Sequence, residues 1–198
     1  MPKLKHLTKL TKIQTIRLSC GLALLIVIAL ITISTLRQKV DLTLEQNQPG
    51  LYHISQFVDG DTIEIDMNGH TENVRFIGVD TPETHDPRKP VQCYGPQASD
   101  FTQNTIGQDK VRLEADPLNT DRDRYNRLLR YVYLKDGRML NQLLIEQGYG
   151  FYYPYFPFSK KASFEEAQTK AQAQKLGLWA ACQPIANEDG GYSSNPIN

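Results

Sequence analysis

The sequence predicts an α+β protein: a five-stranded Greek-key β-barrel of the OB type with three helices, preceded by one N-terminal transmembrane helix. Three observations predict it. Five short β-rich runs fall between residues 52 and 134, the first three in close succession. Three helical patterns sit between and after them. Ahead of all of these, Leu18 to Leu36 runs 19 residues without a charge.

The N-terminal elements come first. A run of this length approaches the ~20 residues that cross a ~30 Å hydrocarbon core as a helix. It has no polar face to offer water, which disfavours a soluble helix. Residues 1–17 carry five basic side chains and no acidic one, whereas beyond the run Arg37 and Lys39 mix with Asp41 and Glu45. The positive-inside rule therefore predicts a basic cytoplasmic N-terminus at 1–17, a signal anchor at 18–36 and an extracytoplasmic remainder. A cleaved signal peptide is the rival reading. Its apolar core is usually ~7–15 residues and ends in a small-x-small site, and the following STLRQK offers no convincing one. Cys20 precedes the apolar run rather than following it, so it is not read as a lipid-attachment cysteine. Residues 37–50 are polar, end in Pro-Gly and suit a linker.

Residues 51–182 are predicted to form one compact domain. Tyr52 to Val58 alternates loosely, and Thr62 to Asp66 alternates strictly at period two. Asn68-Gly69 supplies a type I′ hairpin turn. Val74 to Val79 is the third run, and Lys110 to Ala115 and Leu128 to Leu134 complete the five. The helical patterns are Gln97 to Ile106, Leu140 to Glu146 with Gly148 as its stop, and Ser159 to Leu176 before Gly177. Residues 183–198 are polar and rich in turn formers, and are expected to be a flexible tail.

Composition excludes several classes. With 40% hydrophobic and 22% charged residues the chain is neither collagenous nor wholly disordered, and three cysteines do not build a disulfide miniprotein. The net charge of zero hides an asymmetry. Residues 1–50 hold seven basic and two acidic groups, which leaves 15 basic against 20 acidic in 51–198, or about −5. Global charge does not advertise a nucleic-acid binder, so that reading has to come from a local site.

Four clusters carry candidate chemistry: V-D-G-D-T at 58–62, R-F-I-G-V-D-T-P-E at 75–83, C-Y-G-P-Q-A-S at 93–99 and D-R-Y-N-R at 123–127. Asp59, Asp61 and Asp80 are carboxylates at strand ends. Such groups repel unless a cation sits among them, and hard oxygen donors select Ca²⁺ or Mg²⁺. An EF-hand starting at Asp59 fails, because its fifth, sixth and twelfth positions are Ile63, Glu64 and His70. Two readings stay open: a discontinuous metal site, or acids that only shape the turn around Gly60. Arg75 and Arg127 are the complementary half, since a guanidinium fork holds two phosphate oxygens and stays charged. Arginines, a divalent ion and a further carboxylate, here Glu83, make a phosphodiester-cleaving set. Taken singly, each arginine also fits a surface salt bridge.

The four clusters in this order resemble the staphylococcal nuclease (thermonuclease) family over about 51–180. The resemblance implies an OB-fold with three helices and a Ca²⁺-dependent, sequence-tolerant nuclease that leaves 3′-phosphate ends. By matching positions it implies Asp61 and Asp80 as calcium carboxylates, Thr81 as a ligand through its backbone oxygen, and Asp59 acting through water. It implies Glu83 as the residue handling the attacking water, Arg75 and Arg127 as the phosphate clamp, and Tyr125 beside the 3′-side phosphate. Asn126 stands where the family usually has Gly, and Asn tolerates left-handed backbone. Gln97 replaces a common Glu, with no catalytic effect expected. The base-stacking tyrosines fall in GFYYPYFPF at 150–158, where two prolines blur the register, and Tyr153 and Tyr155 are the choices. A hydrophobic lid is the other reading of that stretch. By the same resemblance, some relatives that work outside the cell carry cysteines at places similar to Cys93 and Cys182. A disulfide between these two would close a loop of about 90 residues, worth ~4 kcal/mol in the chain-entropy model, and two free thiols are the alternative. The four histidines show no metal or triad spacing.

The function expected is a membrane-anchored, Ca²⁺-dependent endonuclease acting on DNA and/or RNA outside the cytoplasm. Its partners are the nucleic-acid substrate and a lipid bilayer through residues 18–36, with the domain monomeric. The alternative is a non-catalytic OB module that binds nucleic acid or protein. Modules of that kind lose these acids and arginines, and all of them are present here. A Ca²⁺-stabilised surface domain is a third reading, but it leaves Arg127 without a purpose.

Overall fold

The structure is a computed structural model and describes residues 23–35, 50–67, 69–84 and 90–197. The chain divides into two units, Met1–Gln46 and Asn47–Asn198. In the first, residues 23–35 form helix α1, and every one of them is exposed. Among the described residues no helix is long and apolar enough to cross a membrane. The rest of the predicted span at 18–22 and 36, the basic segment 1–17 and linker residues 37–49 lie outside the described residues.

In the second unit, strands β1 (Leu51–Asp59), β2 (Thr62–Met67), β3 (His70–Phe76), β5 (Val111–Glu114) and β6 (Leu128–Tyr133) close into a barrel in the order β1-β2-β3-β6-β5. The period-two pattern of β2 is what its packing requires. Ile63, Ile65 and Met67 are buried, while Asp66 points to solvent. Gly69 takes the positive φ of the predicted hairpin turn at 79°, and the Asp66 carboxylate accepts its N–H at 2.7 Å. The barrel closes where Leu51 and Tyr52 pair with Arg112 and Val111, and where β3 runs parallel to β6.

The third strand differs from the expected Val74 to Val79. β3 begins at His70 and ends at Phe76, and a two-residue turn separates it from β4 (Val79–Asp80). Gly78 causes the break. Its φ is 73°, and a Cβ there would lie 2.6 Å from the Phe158 ring. The turn matters because it swings Asp80 back towards Asp61. β4 then pairs with β7 (Phe151–Tyr152).

Three helices cover the barrel: α2 (Gly95–Ile106), α3 (Leu140–Glu146) and α4 (Lys161–Ala173), followed by the short α5 (Leu178–Ala181). On α4, Phe164, Ala167, Gln168 and Ala171 are buried at the i, i+3, i+4, i+7 spacing of one helix face. α3 is keyed to the barrel by Asn141, which is fully buried. Its Oδ1 accepts the Val132 N–H at 2.8 Å, and its Nδ2 donates to the carbonyls of Ile77 and Arg130 at 3.0 and 3.1 Å. α2 is tied to the turn after β1 by the Thr102 hydroxyl, which donates to the Gly60 carbonyl at 2.5 Å.

Residues 183–197 are not a loose tail. β8 (Ile185–Ala186) and β9 (Tyr192–Ser193) form a hairpin, and Tyr192 packs on Phe151 and Trp179 with ring centroids 6.1 and 5.0 Å away. Beyond it, Cys93 N–H donates to Asn195 O at 2.7 Å and Ile197 N–H to Val91 O at 2.9 Å. Polar composition pointed to a free end, but one inserted aromatic and a run of backbone bonds dock it. Asn198 lies outside the described residues.

A buried carboxylate ties the barrel to the entrance of α4. Asp116 accepts hydrogen bonds from Tyr131 OH, from Ser159 Oγ and N–H, and from Leu118 N–H, at 2.5 to 2.8 Å. Burial pushes its pKa up, but these donors outweigh burial and hold it below the ordinary carboxylate value. A depressed native pKa stabilises fully above the unfolded value of ~3.9, and the benefit disappears as pH falls through the native pKa. Asp116→Asn is expected to cost about 2 kcal/mol at pH 7 and markedly less near pH 3. Urea unfolding at the two pH values checks it, and equal losses at both would overturn the assignment.

Candidate active site

Three strand ends and one turn converge to build the site. β1 ends at Asp59, the Gly60-Asp61 turn follows, β3 carries Arg75, and β4 ends at Asp80 ahead of Thr81 and Glu83. Arg75 organises them. Its Nη2 lies 3.1 Å from Asp61 Oδ2 and 2.6 Å from Asp80 Oδ1. Its Nη1 donates to the carbonyls of Val79 at 2.7 Å and Phe76 at 3.1 Å. Burial alone would lower the pKa of this guanidinium, but Asp61 and Asp80 hold it above its ordinary value.

Asp61 is only 4% exposed, and its oxygens are oriented by neighbours. Oδ2 accepts the Thr81 N–H at 2.7 Å and Oδ1 the Thr62 hydroxyl at 3.0 Å. Asp59 accepts the Gly60 N–H at 2.8 Å and the Thr84 hydroxyl at 3.0 Å. Burial, then the charge of Asp61, and more weakly that of Glu83, push the Asp59 pKa up to about 7. Glu83 is half-buried, and its Oε1 accepts the Thr84 N–H at 3.0 Å. Gln92 holds the Glu83 backbone from both sides. Gln92 Oε1 accepts the Glu83 N–H at 2.8 Å, and the Gln92 N–H donates to Glu83 O at 2.9 Å.

These residues suit a hard divalent cation in donor type and in charge. The donors are all oxygen, and three carboxylates, Asp59, Asp61 and Asp80, stand near the one guanidinium of Arg75. The Thr81 hydroxyl is buried and has no hydrogen-bond partner among the described residues. The donors are not gathered into a finished cage, however. Among the described residues, no three of His, Cys, Asp and Glu stand close enough to hold a metal ion.

Arg127 is separate from this cluster. It precedes β6, which pairs in parallel with the strand carrying Arg75. Its Nε and Nη2 both lie 2.7 Å from Asp123 Oδ2. Burial would raise the Asp123 pKa, but the bonds from Arg127 and Tyr125 hold it below its ordinary value. Asn126 takes the left-handed backbone expected of it, at φ 65°. Tyr125 is 59% exposed and lies under both Arg124 and Arg127, at 4.8 and 5.4 Å from its ring centroid.

The two tyrosines of 150–158 have different surroundings. Tyr153 is within electrostatic reach of the cluster, so that burial and then Asp80 raise its phenol pKa, while Arg75 and Arg124 lower it. The Tyr155 ring meets Tyr153 edge-on at 4.8 Å. Its hydroxyl donates to the Gly190 carbonyl and accepts the Asn187 Nδ2 at 3.2 Å. Cys93 and Cys182 form a disulfide, with Cα atoms 5.9 Å apart.

Sequence reasoning passed over three groups. Arg124 belongs to D-R-Y-N-R, and its alternation with Tyr125 was the available signal. Gln92 and residues 183–197 had no local signal, because their roles arise from packing.

A barrel of this order, with two carboxylates bridged by a half-buried arginine and further acids at its rim, defines an OB-type domain built to manage concentrated charge. Residues 73–181 match the family described as "Staphylococcal nuclease homologue". The chain is 43% identical over 132 residues to the thermonuclease of Staphylococcus hyicus, covering 65% of this chain and 75% of that protein. It is 44% identical over 129 residues to the thermonuclease of Staphylococcus intermedius, with the same shares covered. It is 35% identical over 154 residues to endonuclease YncB of Bacillus subtilis strain 168, covering 76% of this chain and 72% of that protein. The chain belongs to the staphylococcal nuclease family.

Arg75→Leu would leave Asp61, which is 4% exposed, without its cation. Removing one partner of a buried ion pair costs about 3–5 kcal/mol. The variant is expected to lose that much in urea unfolding without added metal. A loss under 1 kcal/mol would show that Arg75 does not organise the cluster.

Proposed function

We propose that this nuclease is a Ca²⁺-dependent, sequence-tolerant endonuclease that cuts DNA and/or RNA to 3′-phosphate products, with its catalytic domain tethered outside the cytoplasm. Hydrolysis of phosphodiester bonds follows from membership of the family and from its thermonuclease and endonuclease relatives. The observation that carries the finer reading is the pairing of Asp61 and Asp80 with Arg75, with Asp59 within electrostatic reach of both Asp61 and Glu83. Asp61, Asp80 and the Thr81 carbonyl would hold Ca²⁺, with Asp59 acting through water. When bound, the ion supplies Lewis-acid polarisation of the phosphate.

The chain's own residues do the rest. Glu83 orients a water and accepts its proton as the water oxygen bonds to phosphorus. Arg75 and Arg127 stabilise the charge that builds on the phosphoryl oxygens. The P–O5′ bond breaks, leaving the phosphate on the 3′ side, and the departing oxygen takes a proton from solvent. A guanidinium is a poor proton donor at neutral pH, so Arg127 acts through its charge. In this reading Arg127 leaves Asp123 on meeting the phosphate. Tyr125 lies beside the 3′-side phosphate, and Tyr153 and Tyr155 offer ring faces to bases.

The tether is residues 18–36, supported by the uncharged run and its basic flank. The Cys93–Cys182 disulfide supports an oxidising compartment. The domain is expected to be monomeric.

The test is cutting of plasmid DNA and a single-stranded oligonucleotide by the full chain, with Ca²⁺ and with a chelator. Ca²⁺-dependent cutting at many sequences is expected. A folded, Ca²⁺-supplied chain that binds the oligonucleotide without cutting it would favour the non-catalytic module. Glu83→Gln and Arg127→Ala are each expected to lower kcat by at least a hundredfold while circular dichroism and Tm stay near the parent. A rate like the parent's in either variant would remove the role given to that residue.

A further inference from the structure

The segment after the disulfide touches both halves of the site. At one end of it, Asn195 and Ile197 pair with Cys93 and Val91, Gln92 bridges to Pro196, and the Ser194 hydroxyl donates to Cys93 O at 2.8 Å. Ser194 is 5% exposed. Gln92, held between these bonds, is the residue that grips the Glu83 backbone through its side chain and its own N–H. At its other end the segment holds the aromatic stretch. Gly190 O and Asn187 Nδ2 both bond the Tyr155 hydroxyl, and Gly191 lies against Pro154. Tyr192 anchors the middle on Phe151, whose strand pairs with Asp80. The disulfide fixes the start, since Cys182 is bonded to Cys93, the residue beside Gln92.

We propose that residues 183–197 are a strap that positions the site: they hold Glu83 in place through Gln92 and clamp Tyr155. Gln92 is a positioning residue, since its contacts reach Glu83 and not the reacting atoms. The strap acts on two parameters that separate. Its grip on Gln92 bears on the residue handling the water, and so on kcat. Its grip on Tyr155 bears on base stacking, and so on KM. The inference rests on the nuclease reading for its kinetic consequences, but the positioning of Glu83 has a readout that needs no activity.

The experiment uses the full chain under oxidising conditions, with Ca²⁺ and a single-stranded DNA oligonucleotide. It compares the parent with a chain ending at Gln183, with Gln92→Leu and with the two combined. The chain ending at Gln183 keeps the disulfide. Truncation is expected to lower kcat about tenfold and raise KM about threefold. Gln92→Leu is expected to lower kcat by a similar factor with KM unchanged. The combined variant is expected to lose no more kcat than the worse single one, because both act through one contact. Hydrogen exchange at the Glu83 amide is expected to be at least tenfold faster in all three. Parent-like kcat, KM and exchange after truncation would overturn the strap, as would kcat losses that multiply. If the parent does not cut, the nuclease reading fails, and the exchange rate alone decides the strap. If truncation lowers Tm by more than 10 °C, Ser194→Ala combined with Ile197→Pro loosens the same pairing without opening the core. It is expected to move kcat and exchange in the same direction, and no change in either would overturn the proposal.

Discussion

A single guanidinium decides how this domain is arranged. Arg75 binds two backbone carbonyls and two carboxylates at the end of the barrel, and so links its own strand to the turn after β1 and to β4. A chain that places Asp59, Asp61, Asp80 and Glu83 at neighbouring strand ends has to manage their mutual repulsion. Arg75 cancels part of it. What remains shows in Asp59, whose carboxylate is pushed up to about 7 by burial and by Asp61. The end of the barrel therefore keeps an acidic character that Arg75 offsets only in part.

The barrel supplies the rigidity this requires. β3 runs parallel to β6, so the strand bearing Arg75 lies beside the one that Arg127 precedes. Asn141 locks α3 to that junction with three bonds to buried backbone. The Gly78 turn redirects the chain so that Asp80 returns to Arg75 instead of continuing along β3. Arg127 is held by Asp123 rather than by the cluster, so the two arginines are kept in separate ion pairs.

Much of the site was legible because it lies in short, chemically dense motifs. Asp59, Asp61, Asp80, Thr81, Glu83 and Arg75 were all named from two segments, and the structure brings them to one end of the barrel. Tyr153 and Tyr155 share one stretch, yet Tyr153 lies within electrostatic reach of the cluster, while Tyr155 is bonded to the C-terminal segment. The docking of 183–197 has the same origin. Local polarity says how a segment behaves alone, and Tyr192 finds Phe151 and Trp179 only after the barrel has formed.

The presence of five barrel strands and three covering helices, and the grouping of the acids and arginines into short clusters, were legible in the sequence itself. Period-two and helical spacings encode which faces are buried, and the D-G-D-T and D-T-P-E clusters keep their chemistry within a few residues. Only the tertiary structure decided that β3 breaks at Gly78, that Gln92 holds Glu83, and that the last fifteen described residues strap the site. Each depends on contacts between residues far apart in the chain, Gly78 with Phe158 and Asn195 with Cys93 among them. No local pattern encodes such contacts, because their free energy exists only once the two segments have met.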